Sequence, residues 1–391
     1  MMVQSQPHAT APQGALSFGM VAGEASGDLL ASLLIEGLRK RWPDLHGWGI
    51  GGPRMVAQGF DAQWPSERLA VRGYVEVLRH YRGIVAIRDQ LRERLLAKPP
   101  QVFIGVDAPD FNLDLEAALK ARGVPTVHMV CPSIWAWRAD RIHKIRRSVD
   151  HMLCIFPFEV EMLAREGVAA TYVGHPLAPV IPQEPDRAGA RTRLQLLKDA
   201  PVVALLPGSR RSEIEHMTPR LLAAARLMQK ERPDLQWVLP AVPALQPLVE
   251  TLCAQSPVPG LRVLKGQSHE ALAACELTLI ASGTATLEAA LFKRPMVIGY
   301  HMNALSWLIM RRQRLQPWVG LPNILCGEFV VPELLQSDCT PERLAREGLA
   351  WLQNPARVQA LTERFSVLHR QLTRDTAQEA VHAIEKTLGQ A

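Results

Sequence analysis

The chain has 391 residues, 48% of them hydrophobic and 21% charged; it is too long for one ordinary core and too apolar for disorder, so two domains are expected. A formal charge of +6 and a pI near 9.1 suit anionic partners such as nucleotide phosphates or an acidic membrane surface, and give no case for nucleic acid. The six cysteines, Cys131, Cys154, Cys253, Cys275, Cys326 and Cys339, never form C-x-x-C pairs, which reads as reduced core residues of a cytoplasmic protein.

Residues 1–14 mix Gln, Pro, Ala and Thr without a basic region followed by an apolar one, the pattern of a frayed tail rather than a signal peptide. From Leu16 short apolar runs alternate with longer amphipathic segments, which predicts parallel sheets covered by helices. Strands are expected at 16–22, 46–50, 102–106, 126–130, 151–155 and 170–173, with helices at 29–41, 113–122 and 158–166. Between Gly174 and Arg187 stand Pro176, Pro179, Pro182 and Pro185, which no helix or central strand tolerates, so the linker is expected there. The alternation restarts with strands at 202–206, 236–240, 261–264, 277–280 and 296–298, and tail helices run from Pro341. The expected plan is a tail over 1–14, a first doubly wound domain over 15–182, a second over 183–365, and a helix over 366–391 crossing back to a first domain. No uncharged apolar stretch is long enough to span a bilayer, so membrane contact is expected at the surface only.

Four turns follow strands at the carboxyl ends where open α/β sheets place ligands. In Gly23-Glu24-Ala25-Ser26-Gly27-Asp28 the glycine spacing is not G-x-G-x-x-G, and Glu24 would repel a pyrophosphate, which disfavours NAD. Ser26 or Asp28 can cap the following helix. In Gly105-Val106-Asp107-Ala108-Pro109-Asp110-Phe111-Asn112, Asp110 or Asn112 can cap, whereas Asp107 has no such local task; it is the first candidate for a general base toward a sugar hydroxyl, with Glu24 second. In Leu206-Pro207-Gly208-Ser209-Arg210, Gly208 and Ser209 admit phosphate oxygens to backbone amides and Arg210 adds a bidentate donor. In Ala281-Ser282-Gly283-Thr284-Ala285-Thr286-Leu287-Glu288, Ser282, Gly283 and Thr284 form a second phosphate cradle, and Glu288 is placed to accept hydrogen bonds from ribose hydroxyls. A nucleotide-sugar in the second domain, an acceptor in the first and chemistry between them is the arrangement these turns imply.

No Asp-x-Asp pair or His/Cys cluster has metal-ligand spacing, so neither a metal nor another cofactor is expected. Residues 69–85 interleave Val75, Leu78, Tyr81 and Val85 with Arg72, Arg79 and Arg82, and residues 300–319 combine Trp307, Leu308, Ile309 and Trp318 with Arg311, Arg312 and Arg314. Either stretch suits an anionic membrane interface or an ordinary core-facing helix.

Taken together, V-A-G-E-A-S-G-D at 21–28, G-G-P-R-M at 51–55, G-V-D-A-P-D-F-N at 105–112, P-S-I-W-A-W-R at 132–138, L-P-G-S-R at 206–210, A-S-G-T-A-T-L-E at 281–288 and L-P-N-I-L at 321–325 make the chain resemble the lipid-A-disaccharide synthase family from about Leu16 to its end. The resemblance implies a GT-B fold and an inverting, metal-independent transfer from UDP-2,3-diacylglucosamine to the 6-hydroxyl of 2,3-diacylglucosamine 1-phosphate (lipid X), on the inner face of the inner membrane. It implies important acids at Glu24 and Asp107, a diphosphate contact at Arg210, a nucleotide acid at Glu288 and a site amide at Asn323; acceptor contacts are expected at Ser26, Asp28, Arg54 and Asn112. A homodimer, with the carboxyl-terminal helix packed in cis or exchanged, stays open. The competing readings are an undecaprenyl-linked GlcNAc transferase, a UDP-GlcNAc epimerase, or a non-catalytic nucleotide-binding module that docks on membranes.

Overall fold

Short runs of buried, mostly β-branched and aliphatic residues supply the strands of two parallel sheets. The computed structural model describes residues 15–69, 74–303, 307 and 312–389. The chain divides into two compact units, one holding the described residues up to Pro176 together with those from Arg374 onward, the other Leu177–Thr373. The first crossing falls within the proline-rich segment, at 176/177 rather than 182/183.

In the first unit β1 (Leu16–Ala22), β2 (Leu45–Gly51), β3 (Asp61–Pro65), β4 (Val102–Val106), β5 (Thr126–Met129), β6 (His151–Cys154) and β7 (Ala170–Tyr172) pair in the order β3-β2-β1-β4-β5-β6-β7. The strand order reverses between β1 and β4, which are paired in parallel. In the second unit β8 (Val202–Leu206), β9 (Gln236–Ala241), β10 (Leu261–Lys265), β11 (Leu277–Ala281), β12 (Met296–Tyr300) and β13 (Glu333–Leu335) run β10-β9-β8-β11-β12-β13, reversing between β8 and β11. Such reversals open a crevice at the carboxyl ends of the two central strands. The turns after β1, β4, β8 and β11 carry the four motifs singled out above, so each unit gathers two of them at its own switch point.

Two strands escape the sequence pattern. β3 reads Asp-Ala-Gln-Trp-Pro and β13 spans three residues; both lie at sheet edges, where polar residues and a proline are tolerated. The tail also differs from expectation. The helix Pro355–Leu372 stays in the second unit, burying Leu361, Phe365, Leu368 and Leu372, and the chain crosses back only at 373/374. Asp375 then caps Thr376–Thr387, its side chain accepting from Gln378 N. That last helix places Ala380, Val381, Ala383 and Ile384 in the core shared by β1 and the helix Ala25–Arg41, and Glu385 pairs with Arg41.

Much of the two basic amphipathic segments, residues 70–73, 304–306 and 308–311 and the side chains of Val75, Leu78 and Tyr81, lies outside the described residues. In the rest of the first segment, Leu69 and Ile84 pack against a core cluster, and further along the same helix Leu91 and Leu95 are fully buried within it. No described helix is long and apolar enough to cross a membrane. All six cysteines are free, four of them buried, and burial pushes the Cys275 and Cys339 thiols up to about 11, which leaves them poor nucleophiles.

Candidate active site

In the second unit the turns after β8 and β11 face each other across a cavity of about 430 Å³ whose lining includes Gly208, Ser209, Arg210, Ser282, Gly283, Thr284 and Glu288. The two turns hold their amides differently. Glu213, on the first turn of the helix Arg211–Glu231, accepts from Ser209 N at 3.0 Å and Arg210 N at 3.2 Å through Oε2, and from Arg210 Nη1 at 2.7 Å through Oε1. This carboxylate occupies the place expected of a phosphate, which corrects the expectation that the amides after Gly208 are open to ligand. Gly208 is required there: its φ is +109°, and a Cβ would lie 2.5 Å from Glu213 Oε2. After β11 the opposite holds, since the N–H groups of Gly283, Thr284 and Ala285 meet no acceptor among the described residues. An anion therefore finds open amides at 283–285 and the largely exposed guanidinium of Arg210 opposite.

Glu288 lines the same cavity and pairs with His269 at 3.2 Å. The hydrogen bond that His269 donates to Glu288 raises the His269 pKa, burial opposing it. His269 packs edge-on against Phe292 with ring centroids 5.3 Å apart. A carboxylate steadied from one side keeps acceptor capacity for a neighbouring diol.

In the first unit the turns after β1 and β4 bound a cavity of about 690 Å³ whose lining includes Glu24, Asp107, Ile84, Val85, Arg88 and Lys144. Asp107 and Ala108 both have left-handed backbones, φ 53° and 45°, a conformation that costs a non-glycine residue on the order of 1–3 kcal/mol and persists where surrounding contacts enforce it. Those contacts are present: Asp107 N donates to Met129 O at 2.9 Å, and Asn112 Nδ2 donates to Asp107 O at 2.8 Å. Burial raises the Asp107 carboxyl, the Ala108 amide and then His128 oppose the rise, and Glu24 adds to it. A half-buried carboxyl moved upward and facing a cavity is the profile of a general base.

Beneath it lies a pair that periodicity alone does not reveal. Glu116 Oε1 meets His128 Nδ1 at 2.7 Å with both side chains fully buried, and burial raises the Glu116 pKa. Glu116 Oε2, His128 Nε2 and Asn112 Oδ1 have no partner among the described residues. Gly105 makes room for the pair, because a Cβ there would lie 2.1 Å from Glu116 Oε1. Glu116 falls one helical turn after Asn112 on the same helix, and that spacing was the available signal.

The expected acceptor residues do not line either large cavity. Asp28 is buried and accepts from Gly52 N at 3.0 Å, Arg54 N at 3.0 Å and Met55 N at 3.1 Å, so it caps the helix Pro53–Ala57 rather than its own. Arg54 contributes its amide to that cap with its side chain exposed, and Ser26 is exposed on the first helix. Asn112 is buried and holds the Asp107 turn. Asn323 is likewise removed from ligand: Nδ2 donates to Val331 O and Glu333 Oε1, and Oδ1 accepts from Val330 N and Val331 N, which uses its hydrogen-bonding capacity within the chain. Among the described residues no group of three or more His, Cys, Asp or Glu side chains could hold a metal ion.

Two parallel sheets, each with a cavity at its switch point, define an α/β protein of the GT-B type. Solved structures agree on the fold: a UDP-GlcNAc 2-epimerase from Neisseria meningitidis, bound to UDP-GlcNAc, is 11% identical with a TM-score of 0.61 over 96% of this chain and 99% of that one, and the glycosyltransferase of kitacinnamycin is 15% identical with a TM-score of 0.61 over 95% and 99%. At sequence level the family described as lipid-A-disaccharide synthetase matches residues 19–384. The lipid-A-disaccharide synthases of Albidiferax ferrireducens and Verminephrobacter eiseniae are 59% identical over 379 residues (95% of this chain, 97% of the relative) and 57% over 384 (97% and 99%). The chain belongs to the lipid-A-disaccharide synthase family and is a glycosyltransferase of lipid A biosynthesis.

Proposed function

We propose that the protein transfers 2,3-diacylglucosamine from its UDP derivative to the 6-hydroxyl of 2,3-diacylglucosamine 1-phosphate, with inversion and without a metal ion. The observation that carries the reading is Asp107, held in a left-handed turn on the wall of a roomy cavity with its carboxyl shifted upward. The acceptor oxygen attacks the anomeric carbon of the donor as the bond from that carbon to the β-phosphate oxygen breaks. The bonding electrons leave with UDP, and Asp107 takes the hydroxyl proton, with Glu24 beside it as the alternative base. Open amides at 283–285 and the Arg210 guanidinium stabilise the charge that grows on the departing diphosphate, the task a divalent cation performs elsewhere. Glu288, steadied by His269, accepts from the ribose hydroxyls. Ile84 and Val85 give the acceptor cavity an apolar wall suited to acyl chains. The basic amphipathic segments around residues 69–85 and 300–319 suit collection of such substrates from an anionic membrane surface.

The test is UDP release from UDP-2,3-diacylglucosamine, with and without the monosaccharide acceptor and with a chelator present throughout. Release only when the diacylated acceptor is added supports the reading. Release with a non-acylated acceptor alone, or conversion of UDP-GlcNAc to its epimer without any acceptor, would point to another UDP-sugar enzyme.

A further inference from the structure

The larger cavity of the first unit is poorly suited to a phosphate. Its two cations, Arg88 and Lys144, are both tied to Asp114, at 2.8 and 2.5 Å, and Glu24, Asp107 and Asp110 share the lining. On the other side of Asp107 is a second cavity of about 200 Å³, lined by Asp107, Val130, Ser133, Trp137, Arg138 and Arg141 among others. We propose that this smaller cavity is a phosphate monoester subsite, in which Arg138 and Arg141 hold the acceptor by its 1-phosphate while the sugar lies against Asp107. The proposal rests on the transferase reading given above.

Charge and construction both support it. Arg138 has no ion-pair partner among the described residues; its guanidinium lies 5.7 Å from the ring centroid of Trp137, which is itself 46% exposed. Among the described residues Arg141 pairs only with Asp110, whose side chain is 81% exposed, and a solvated partner of that kind yields readily to a phosphate that takes a planar fork in two hydrogen bonds. The loop that carries these arginines is pinned. Trp135 Nε1 donates to the buried Glu159 at 3.0 Å, Ala136 N and Trp137 N donate to Ser133 O at 3.0 and 3.2 Å, and Arg141 N donates to Arg138 O at 3.0 Å. At either end of this loop Val130 and Arg138 have φ of 78° and 56°. For a β-branched valine that is a true outlier, and strain of this kind collects where a side chain must be aimed at a ligand. The position also resolves a conflict, since a dianion close to Asp107 and Glu24 needs two guanidinium groups to offset their repulsion.

The experiment uses the full-length protein in UDP-release kinetics at fixed ionic strength, with two acceptors: 2,3-diacylglucosamine 1-phosphate and the same sugar carrying a methyl group in place of the phosphate. Arg138→Ala is expected to raise the KM of the phosphorylated acceptor about ten- to hundredfold, the usual weight of a hydrogen bond to a charged group. The donor KM and the melting temperature should stay as in the parent, and both enzymes should treat the methyl acceptor alike. Arg138→Lys, which keeps the charge without the fork, should fall between. A phosphorylated-acceptor KM within twofold of the parent in Arg138→Ala, or equal losses on the two acceptors, would overturn the subsite and leave the transferase reading standing. A parent enzyme that releases UDP with neither acceptor would remove both.

Discussion

Asp107→Asn tests the chemical centre with little collateral damage. The residue sits at φ 53°, and asparagine visits the left-handed region more readily than other residues with a side chain, so the backbone need not move. The anchoring bonds, Asp107 N to Met129 O and Asn112 Nδ2 to Asp107 O, involve main-chain atoms that the substitution leaves in place. What disappears is an oxygen able to take a proton. A positioned general base is worth about 10² to 10⁴ in rate, so kcat should fall by that factor, equivalent to roughly 3–5 kcal/mol at 1.36 kcal/mol per decade. Donor and acceptor KM should change little, because the lost interaction belongs to the transition state.

The pH profile supplies the second half of the test. A base works only when ionised, and burial, followed by the neighbouring Glu24 charge, moves the Asp107 carboxyl above its ordinary value of 3.8. Activity should therefore fall as pH drops through that raised value, earlier than an ordinary aspartate would dictate. Glu24→Gln removes one of the charges that raises it and should slide this acid limb to lower pH, while Asp107→Asn should lose the limb. UDP release measured from mildly acidic to mildly alkaline pH reads both effects. Turnover of Asp107→Asn within a few-fold of the parent, or an acid limb indifferent to Glu24→Gln, would refute the assignment.

Three further outcomes are expected. Arg210→Ala should weaken UDP binding by calorimetry about tenfold or more and slow turnover as well, since the guanidinium meets phosphate charge in ground and transition states alike, and a chelator should leave the parent's activity intact. Glu116→Ala leaves His128 Nδ1 without its partner in a fully buried site; a stranded buried polar group costs about 1–3 kcal/mol, so the melting temperature should drop, whereas Glu116→Gln, which keeps a hydrogen-bond acceptor, should lose less. Lys293, whose Nζ lies 2.6 Å from His369 Nδ1, is depressed by burial from 10.5 to about 8. Between these values the unfolded chain binds more protons than the folded one, so this residue's penalty is present below pH 8 and is relieved as pH rises toward 10.5. The melting temperature of the parent minus that of Lys293→Met should rise over that window, and a flat difference would contradict the depressed value.

Fold and site differed in how far the sequence could be read. Central strands such as Val102–Val106 and Val202–Leu206 are continuous apolar runs buried on both faces, so their limits were legible to the residue. The edge strands Asp61–Pro65 and Glu333–Leu335 carry no such pattern. Turn motifs located the cavity walls, Asp107 and Glu24 in one unit and Arg210, Thr284 and Glu288 in the other, because a strand followed at once by small or acidic residues and a helix marks a switch point. The division of labour inside those motifs was not legible. Asp28 and Asn112 look like ligand contacts, but each satisfies backbone groups, Asp28 across 24 to 27 residues of sequence, and no local rule anticipates such a partner. Glu213 likewise reads as an ordinary helix-start acid until its carboxylate is found on the amides meant for phosphate.

That carboxylate bears on how the second unit meets a diphosphate. A turn whose amides are already bonded to Glu213 offers an incoming phosphate only the arginine side chain, whereas the turn at 283–285 offers main-chain donors that need no rearrangement. On the proposed mechanism the fixed amides set the register of the diphosphate, and Arg210, which can leave Glu213 as negative charge accumulates, responds to bond breaking. Glu213→Gln separates these roles. With a neutral partner the guanidinium is held less firmly, so ground-state UDP affinity should rise. Turnover should not rise in proportion, because tighter binding of substrate and leaving group alike lowers KM without lowering the barrier between them. An affinity unchanged or weakened by Glu213→Gln would mean that Glu213 aims Arg210 at the phosphate rather than competing with it.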